Sequence, residues 1–558
     1  MIRSAHVDIF ANDHLPAPEA QPEFRFDLPE LQFPERLNCA TELLDRHVRE
    51  GRGDRRCVSA PGGPAWTYAE LQRQADRIAH VLVEDCGLVP GNRVLLRGAN
   101  KPMLVACWFA VVKAGGIAVG TMPMLRAKEL GQIIEKGQVT IALCDAALRD
   151  ELDAAAASGS SSSPRLARIV CFGGDAGAGS GSRERSEGSR PSLESLMARH
   201  DAPFANVDTA ATDTCLFAFT SGTTGQPKAT MHFHRDVMAS CMCFPKHVLR
   251  AAPDDVFIGS PPLAFTFGLG GLTVFPMHIG ASTVLLEKSG PPDLLEAIAV
   301  HRATVCFTAP TSYRAMAAGA RANMIGARDG GLLRKCVAAG EALPAATRAL
   351  WKEATGIEII DGIGATEMFH IFIAADEANA RPGATGTAVP GYRARVVDDE
   401  GNDVPGGTIG RLAVQGPTGC RYLSDPRQAD YVKGGWNYTG DAYLQDADGY
   451  FFYQSRTDDM IISAGYNIAA VEVEDVLLRH EAVAECAVIG APDEERGQIV
   501  KAFVVLREGR SGDEAMVKAL QDFVKATVAP YKYPRAVEFR DGLPRTETGK
   551  LQRFRLRE

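Results

Sequence analysis

The sequence predicts an α/β protein of at least two folded units: a large N-terminal domain of several subdomains, with mostly parallel sheets sandwiched by helices, and a small α+β C-terminal domain. Three observations carry this. The chain has 558 residues, beyond the size at which one hydrophobic core stops growing. Short, continuous apolar runs alternate with helical patterns, as buried parallel strands joined by crossover helices do. After Tyr438 the texture changes, with a turn at Asp446-Ala447-Asp448-Gly449 and polar punctuation at Arg456-Thr457-Asp458-Asp459.

The alternation can be followed along the chain. RVLLRG (93–98) reads as a strand, PMLVACWFAVVKAGG (102–116) as a helix and IAVG (117–120) as the next strand. STVLLE, DLLEAIAVHR and TVCFTAP repeat the strand, helix, strand order between 282 and 310. Between 154 and 192 the composition shifts to Ala, Ser and Gly, including Gly173, Gly174, Gly177, Gly179 and Gly181. Such a stretch buries too little apolar surface to offset its ordering entropy, and it reads as a flexible surface insertion without chemistry. Beyond a boundary at Asp458, VEVEDVLLRH reads as a helix, ECAVIG and KAFVVL as strands, and 513–527 as a further helix. The expected domains are 1–457 and 458–558.

Composition narrows the function class. Hydrophobic residues make up 46% and charged residues 23%, the balance of an ordinary soluble protein. The net charge of −9 argues against nucleic acid as a partner, since backbone binding needs a clustered positive surface. MIRSAHVDIFANDH lacks the apolar run of a secretory signal, and no stretch of 18 apolar residues follows, so a cytoplasmic protein without membrane association is expected. The 13 cysteines are scattered, odd in number and without a CxxC pair, which suits reduced thiols, with Cys241 and Cys243 as core filler. A homodimer is the default assembly because it is the commonest.

The chemistry centres on TSGTTGQPKAT. The run CLFAF (215–219) delivers a loop of Thr220, Ser221, Gly222, Thr223, Thr224 and Gly225 that ends at Pro227-Lys228. Glycines let backbone N–H groups wrap phosphate oxygens, hydroxyls add donors and the lysine adds positive charge. The loop is not a Walker A sequence, and on local chemistry alone an ordinary polar loop remains the alternative.

The wording of that loop resembles the signature of the adenylate-forming superfamily of acyl-CoA synthetases, peptide-synthetase adenylation domains and luciferases. AGEALP (339–344), GIGATE (362–367), YTGD (438–441), SRTDD (455–459), SAGYNI (463–468) and PRTETGK (544–550) follow in the family's order. The resemblance implies that ATP activates a carboxylic acid as an acyl-adenylate, which then passes to coenzyme A. It implies a clamp from Thr220 to Lys228 over the β- and γ-phosphates, Glu367 as the Mg²⁺ ligand, and Thr366 as a phosphate contact. Asp441 and Arg456 would meet the ribose. Gly340, Glu341 and Ala342 would lie along the adenine with Asp361, Gly362 and Ile363, the last an aliphatic residue where relatives carry an aromatic one. Lys550 is implied as the catalytic cation of the first half-reaction, neutralising charge as carboxylate attacks the α-phosphate. The C-terminal domain would then be mobile, turning on Asp458 to bring Ser463, Ala464, Gly465 and Tyr466 to the pantetheine channel. Taken singly, Thr366-Glu367 would be a helix start, Asp441 a turn residue, Arg456 a solvated charge and Lys550 a surface lysine.

GIGATEMFHIF and GATGTAVPGY resemble the benzoate-CoA ligase branch, and SAHVDIFANDHLP with PPLAFTFGLGG is similar to 2-aminobenzoate-CoA ligases within it. An aryl acid needs a flat apolar slot, for which Phe265, Thr266, Phe267, Ala338 and Ile371 are the expected walls, with His370 close to the substrate. Phe267 stands where benzoate-specific relatives tend to have tyrosine. His232 and His234, near the phosphate loop, have no assigned role. The competing readings are an enzyme that loads a carrier protein instead of free CoA, and a non-catalytic nucleotide-binding relative.

Overall fold

The computed structural model describes residues 3–158, 166–174, 191–220, 227–320, 332–457, 460–463, 466–493, 496–528, 530–545 and 551–557. The predicted α/β architecture is borne out. One six-stranded sheet runs in the order Arg168–Phe172, Ile141–Asp145, Arg93–Arg97, Ile117–Thr121, Thr214–Thr220, Lys228–Phe233. Its first five strands are parallel, and only the last pair is antiparallel. Every residue of Arg93–Arg97 is buried, which is why this strand reads as a continuous apolar run and not an alternating one. The crossover helix Pro102–Lys113 is buried on nearly all sides, including Lys113, whose ammonium lies 2.6 Å from Asp45 and 3.0 Å from Asp76. Helix Tyr68–His80 packs beside it and starts from a capping box between Thr67 and Glu70.

A second sheet has nine strands, ordered Thr387–Ala388, Ile371–Ala374, Ile359–Gly364, Lys335–Ala338, Val305–Thr308, Val256–Gly259, Ser282–Val284, Arg56–Ser59, Ala65–Thr67. Its six inner strands, Ile359–Gly364 to Arg56–Ser59, are parallel. A five-stranded antiparallel sheet contains Trp436–Gln445 and Phe451–Arg456, joined by the expected turn at Asp446–Gly449. The remaining sheet is built from Ile461–Ser463, Tyr466–Ile468, Val483–Asp493, Gly497–Leu506 and Ala536–Phe539. It packs with helices Ala470–Leu477 and Glu514–Thr527 around its own buried cluster of Val473, Val488, Val504 and Leu520.

One expectation needs correction. The 154–192 stretch is not an unstructured insertion throughout, because 154–158 finish helix Arg149–Ser158 and Arg168–Phe172 is a strand of the six-stranded sheet. Its Ile169, Val170 and Phe172 are buried, so the local apolar run RIVCF outweighs the flanking Gly and Ser bias. Residues 159–165 and 175–190 lie outside the described residues. All 13 cysteines are free, and Cys241 and Cys243 are buried as expected of core filler. No helix among the described residues is long and apolar enough to cross a membrane.

Candidate active site

Open α/β sheets place ligands outside the C-terminal ends of their parallel strands, and Thr220, Ala338 and Gly364 end such strands here. Thr220 and Lys228 are register partners at the mouth of the antiparallel hairpin, so the glycine-rich loop is the connection of a β-hairpin. Ser221, Gly222, Thr223, Thr224 and Gly225 lie outside the described residues, as do Asp458, Ala464, Gly465 and Lys550.

Lys228 is the anchor of the cluster. Its Nζ lies 2.9 Å from Oε1 of Glu367. The same Nζ donates to the hydroxyl of Tyr422, which in turn donates to Glu367 Oε1. The ammonium also sits 4.6 Å from the Tyr422 ring centre and 5.5 Å from that of Tyr431. Burial works to raise the Glu367 carboxyl, but Lys228 and the Tyr422 hydroxyl outweigh it and hold the pKa below the ordinary value. Burial and the Glu367 charge push the Tyr422 phenol well above its ordinary range, so it remains a neutral donor. A buried, ionised carboxylate beside a lysine is the result.

Thr366 and Glu367 open a single 3₁₀ turn, Thr366–Met368, followed by Phe369 at φ +69°. That left-handed residue costs about 1–3 kcal/mol and reverses the chain between Glu367 and the strand Ile371–Ala374. His232, unassigned from sequence, holds the turn through Nε2 and the Thr366 carbonyl, 2.8 Å apart. Burial lowers the His232 pKa to about 4, so the ring is neutral and donates this bond. Beneath it, fully buried Arg421 pairs with fully buried Asp236 at 2.7 Å.

Asp441 and Arg456 face each other as register partners on adjacent strands, 3.0 Å apart. Gly440 between them has φ +76°, and a Cβ there would fall 2.6 Å from Arg456 Nη2, so glycine is required for the guanidinium to reach Asp441. Gly340, Glu341 and Ala342 follow strand Lys335–Ala338, and Asp361 pairs in register with Ala338. Burial pushes the Asp361 carboxyl up to about 7 against the pull of Arg348. Gly362 and Ile363 continue that strand, with Ile363 packed on the main core cluster.

The expected acid-binding residues divide. His370 is buried among Phe244, Phe267, Phe275 and Phe307, with ring centres 4.5–6.2 Å away. Burial lowers its pKa to about 3, and its Nε2 lies 3.4 Å from the Phe267 carbonyl. Gly270 makes room for it, since a Cβ at 270 would meet His370 Cδ2 at 2.5 Å. Thr266, Ala338 and Ile371 are also buried, while Phe265 is only half-buried at the start of the short helix Thr266–Leu269. Phe244, Phe275 and Phe307 were not singled out from sequence. Nor were Tyr422 and Tyr431, which sit 194 and 203 residues from Lys228 and carry no local pattern that points to it.

The C-terminal unit touches this region. Arg545, in the segment PRTETGK, lies 3.6 Å from Glu341 and 3.0 Å from Glu485. Arg545 and Leu551, the described residues that flank Lys550, form an isolated antiparallel bridge. Ser463 is buried and is the register partner of Tyr466 on the neighbouring antiparallel strand.

Comparison with known proteins places the whole chain. The AMP-binding enzyme family model matches residues 44–422, and the AMP-binding enzyme C-terminal domain model matches residues 472–550. The chain is 34% identical to a benzoate–CoA ligase of Thauera aromatica, over 95% of this chain and 97% of that one. It is 33% identical to a 4-hydroxybenzoate–CoA/benzoate–CoA ligase of Rhodopseudomonas palustris, over 93% and 94% of the two chains. Among solved structures, the anthranilate CoA ligase AuaEII in complex with anthranoyl-AMP superimposes with a TM-score of 0.85 at 32% identity, covering 95% of this chain and 98% of that one. With a family model spanning well over half of its 558 residues, the chain belongs to the AMP-binding enzyme family.

Proposed function

We propose that this protein is an ATP-dependent, AMP-forming aryl-acid:CoA ligase whose acid is 2-aminobenzoate or benzoate. The observation that carries the reading is the placement of a Lys228–Tyr422–Glu367 cluster around a buried carboxylate and of an aromatic cluster around His370 on the two ends of one short segment, 367–370. The likeness to an anthranilate CoA ligase holding anthranoyl-AMP supports the choice of acid.

Attack of the acid's carboxylate on the α-phosphate forms the acyl–phosphate bond and releases pyrophosphate, so cations and fixed donors must absorb the charge. Lys228, at the hairpin mouth, would hold the outer phosphates, and Tyr422 keeps its ammonium directed. Glu367 suits Mg²⁺, which takes one or two carboxylates and fills its shell with phosphate oxygens and water. Bound there, the ion supplies neutralisation of phosphate charge. Asp441 accepts ribose hydroxyls, with Arg456 fixing its orientation. Lys550 would stand between carboxylate and α-phosphate, and Arg545 against Glu341 tethers its segment beside the residues assigned to adenine. In the second half-reaction the CoA thiol displaces AMP, with Ser463, Ala464, Gly465 and Tyr466 lining its approach after a turn at Asp458. The domain division at 458 belongs to this reading.

An acid-dependent pyrophosphate-release panel tests the proposal, using benzoate, 2-aminobenzoate, hydroxybenzoates, phenylacetate and medium-chain acids, with mass analysis after CoA is added. Release with the first two acids and formation of their CoA thioesters is expected. No release above background with any acid would end the enzyme reading, and adenylate without thioester would favour a carrier-protein acceptor. Lys550→Ala should suppress adenylate formation far more than thioester formation from supplied acyl-adenylate. Equal loss of both steps would remove the division of labour.

A further inference from the structure

Far from the motifs above, His80, Glu84 and His200 place three ligand atoms within 4.8 Å of one another. His80 ends helix Tyr68–His80, and Glu84 lies four residues on, in the π-turn Val81–Asp85 that continues it, so both side chains share one face. His200 arrives from a separate segment just beyond helix Leu193–Met197. The two carboxylate oxygens of Glu84 address the two rings separately. Oε1 lies 2.7 Å from His80 Nδ1, and Oε2 lies 3.7 Å from His200 Nδ1. The imidazoles are stacked at 10° with centres 5.5 Å apart, and Phe204 packs edge-on against His80.

The surroundings match those of a metal-binding histidine. Such a ring commonly gives its other N–H to a carboxylate, which fixes its orientation. His200 Nε2 lies 3.1 Å from Asp85 Oδ2, and Asp85 is itself held by Arg199 at 2.6 Å. Arg199 neutralises Asp85, leaving Glu84 as the single anionic ligand. His80 Nε2 is buried without a hydrogen-bond partner, so its ring is already aimed through Nδ1. Tetrahedral zinc with bonds of 2.0–2.1 Å separates neighbouring donors by about 3.3 Å, and the observed 2.7 and 3.7 Å bracket that value.

We propose that His80, Glu84 and His200 form a site for a divalent transition metal of the zinc class, with Asp85 orienting His200 and a solvent molecule completing the shell. Two imidazoles and one carboxylate suit zinc and not magnesium, which prefers an oxygen set. The ion ties the end of helix Tyr68–His80 to the segment around His200. A second cluster, Cys39, Cys215 and His234, is a poorer site because it is fully buried and His234 Nδ1 already accepts the Cys39 N–H at 3.2 Å.

The test is calorimetric titration of zinc chloride into the nucleotide-free full-length protein, paired with absorption spectra of the cobalt(II) form. One zinc per chain is expected, with affinity at least about tenfold weaker in both Glu84→Gln and His200→Ala. The Glu84 side chain is 54% exposed, so Glu84→Gln reports binding even if His200→Ala impairs folding. Cobalt should give visible bands of a nitrogen and oxygen shell. Absence of stoichiometric zinc, binding unchanged in Glu84→Gln, or a sulfur-to-cobalt charge-transfer band would each overturn the proposal.

Discussion

Replacing Tyr422 with phenylalanine removes one hydroxyl and leaves the ring that packs over Lys228. The deleted oxygen accepts from Lys228 Nζ and donates to Glu367 Oε1, so two hydrogen bonds to charged groups go together. The direct ion pair at 2.9 Å survives, which separates the hydroxyl's contribution from that of the charges. Hydrogen bonds to charged groups are worth about 1.5–3 kcal/mol, and each 1.36 kcal/mol on a barrier is tenfold in rate. With two such bonds lost, adenylate formation, read as pyrophosphate release at saturating acid, should therefore fall at least about 100-fold. Thioester formation from supplied acyl-adenylate should change much less, because the outer phosphates have already left. Tyr431→Phe is the matched control. Its ring lies 5.5 Å from the same ammonium, but its buried hydroxyl has no hydrogen-bond partner among the described residues. That variant should adenylate at close to the wild-type rate. If Tyr422→Phe keeps wild-type adenylation, or if both variants lose the same amount, the hydroxyl does not organise Lys228 and Glu367 and the argument fails.

Asp361 carries a pH prediction. Its folded pKa of about 7 lies above the ordinary value of 3.8, so the folded state binds more protons than the unfolded chain between those values. Stability from this group is fully present below the lower value and is lost as pH rises through about 7. Asp361→Asn should accordingly stabilise the ligand-free protein less at pH 5, by at most about 1.6 kcal/mol, than at pH 8, by at most about 4 kcal/mol. Denaturant unfolding at the two pH values checks this, and an equal gain at both would contradict it. The Arg421–Asp236 pair carries another, since both partners are fully buried and the guanidinium lies 4.0 Å from the ring centres of Phe24 and Phe233. Arg421→Ala strands a buried carboxylate that also accepts the Phe233 N–H, and should cost about 3–5 kcal/mol. An apolar double replacement, Arg421→Met with Asp236→Leu, should recover part of it, and a single-variant loss under about 1 kcal/mol in unfolding experiments would refute burial as the cause.

Much of the architecture was legible because it rests on local rules. A strand buried on both faces must be apolar throughout, and a crossover helix must return the chain, so RVLLRG followed by PMLVACWFAVVKAGG admits few other folds. RIVCF obeys the same rule, but its four apolar residues, Ile169 to Phe172, are masked in sequence by the Gly and Ser around them.

The family and the candidate ATP residues are legible in local wording, because glycines, hydroxyls and charges that must meet phosphate and ribose stand in fixed short motifs. Asp441 and Arg456 were legible for this reason, and their strand register brings them together. What surrounds those residues is set by long-range packing. Tyr422 reaches Lys228 across 194 positions, and His370 collects Phe244, Phe267, Phe275 and Phe307 from three other stretches of chain. No periodicity encodes such contacts. They arise when whole sheets and helices pack, and an aromatic residue that lines a site is indistinguishable in sequence from one that fills a core.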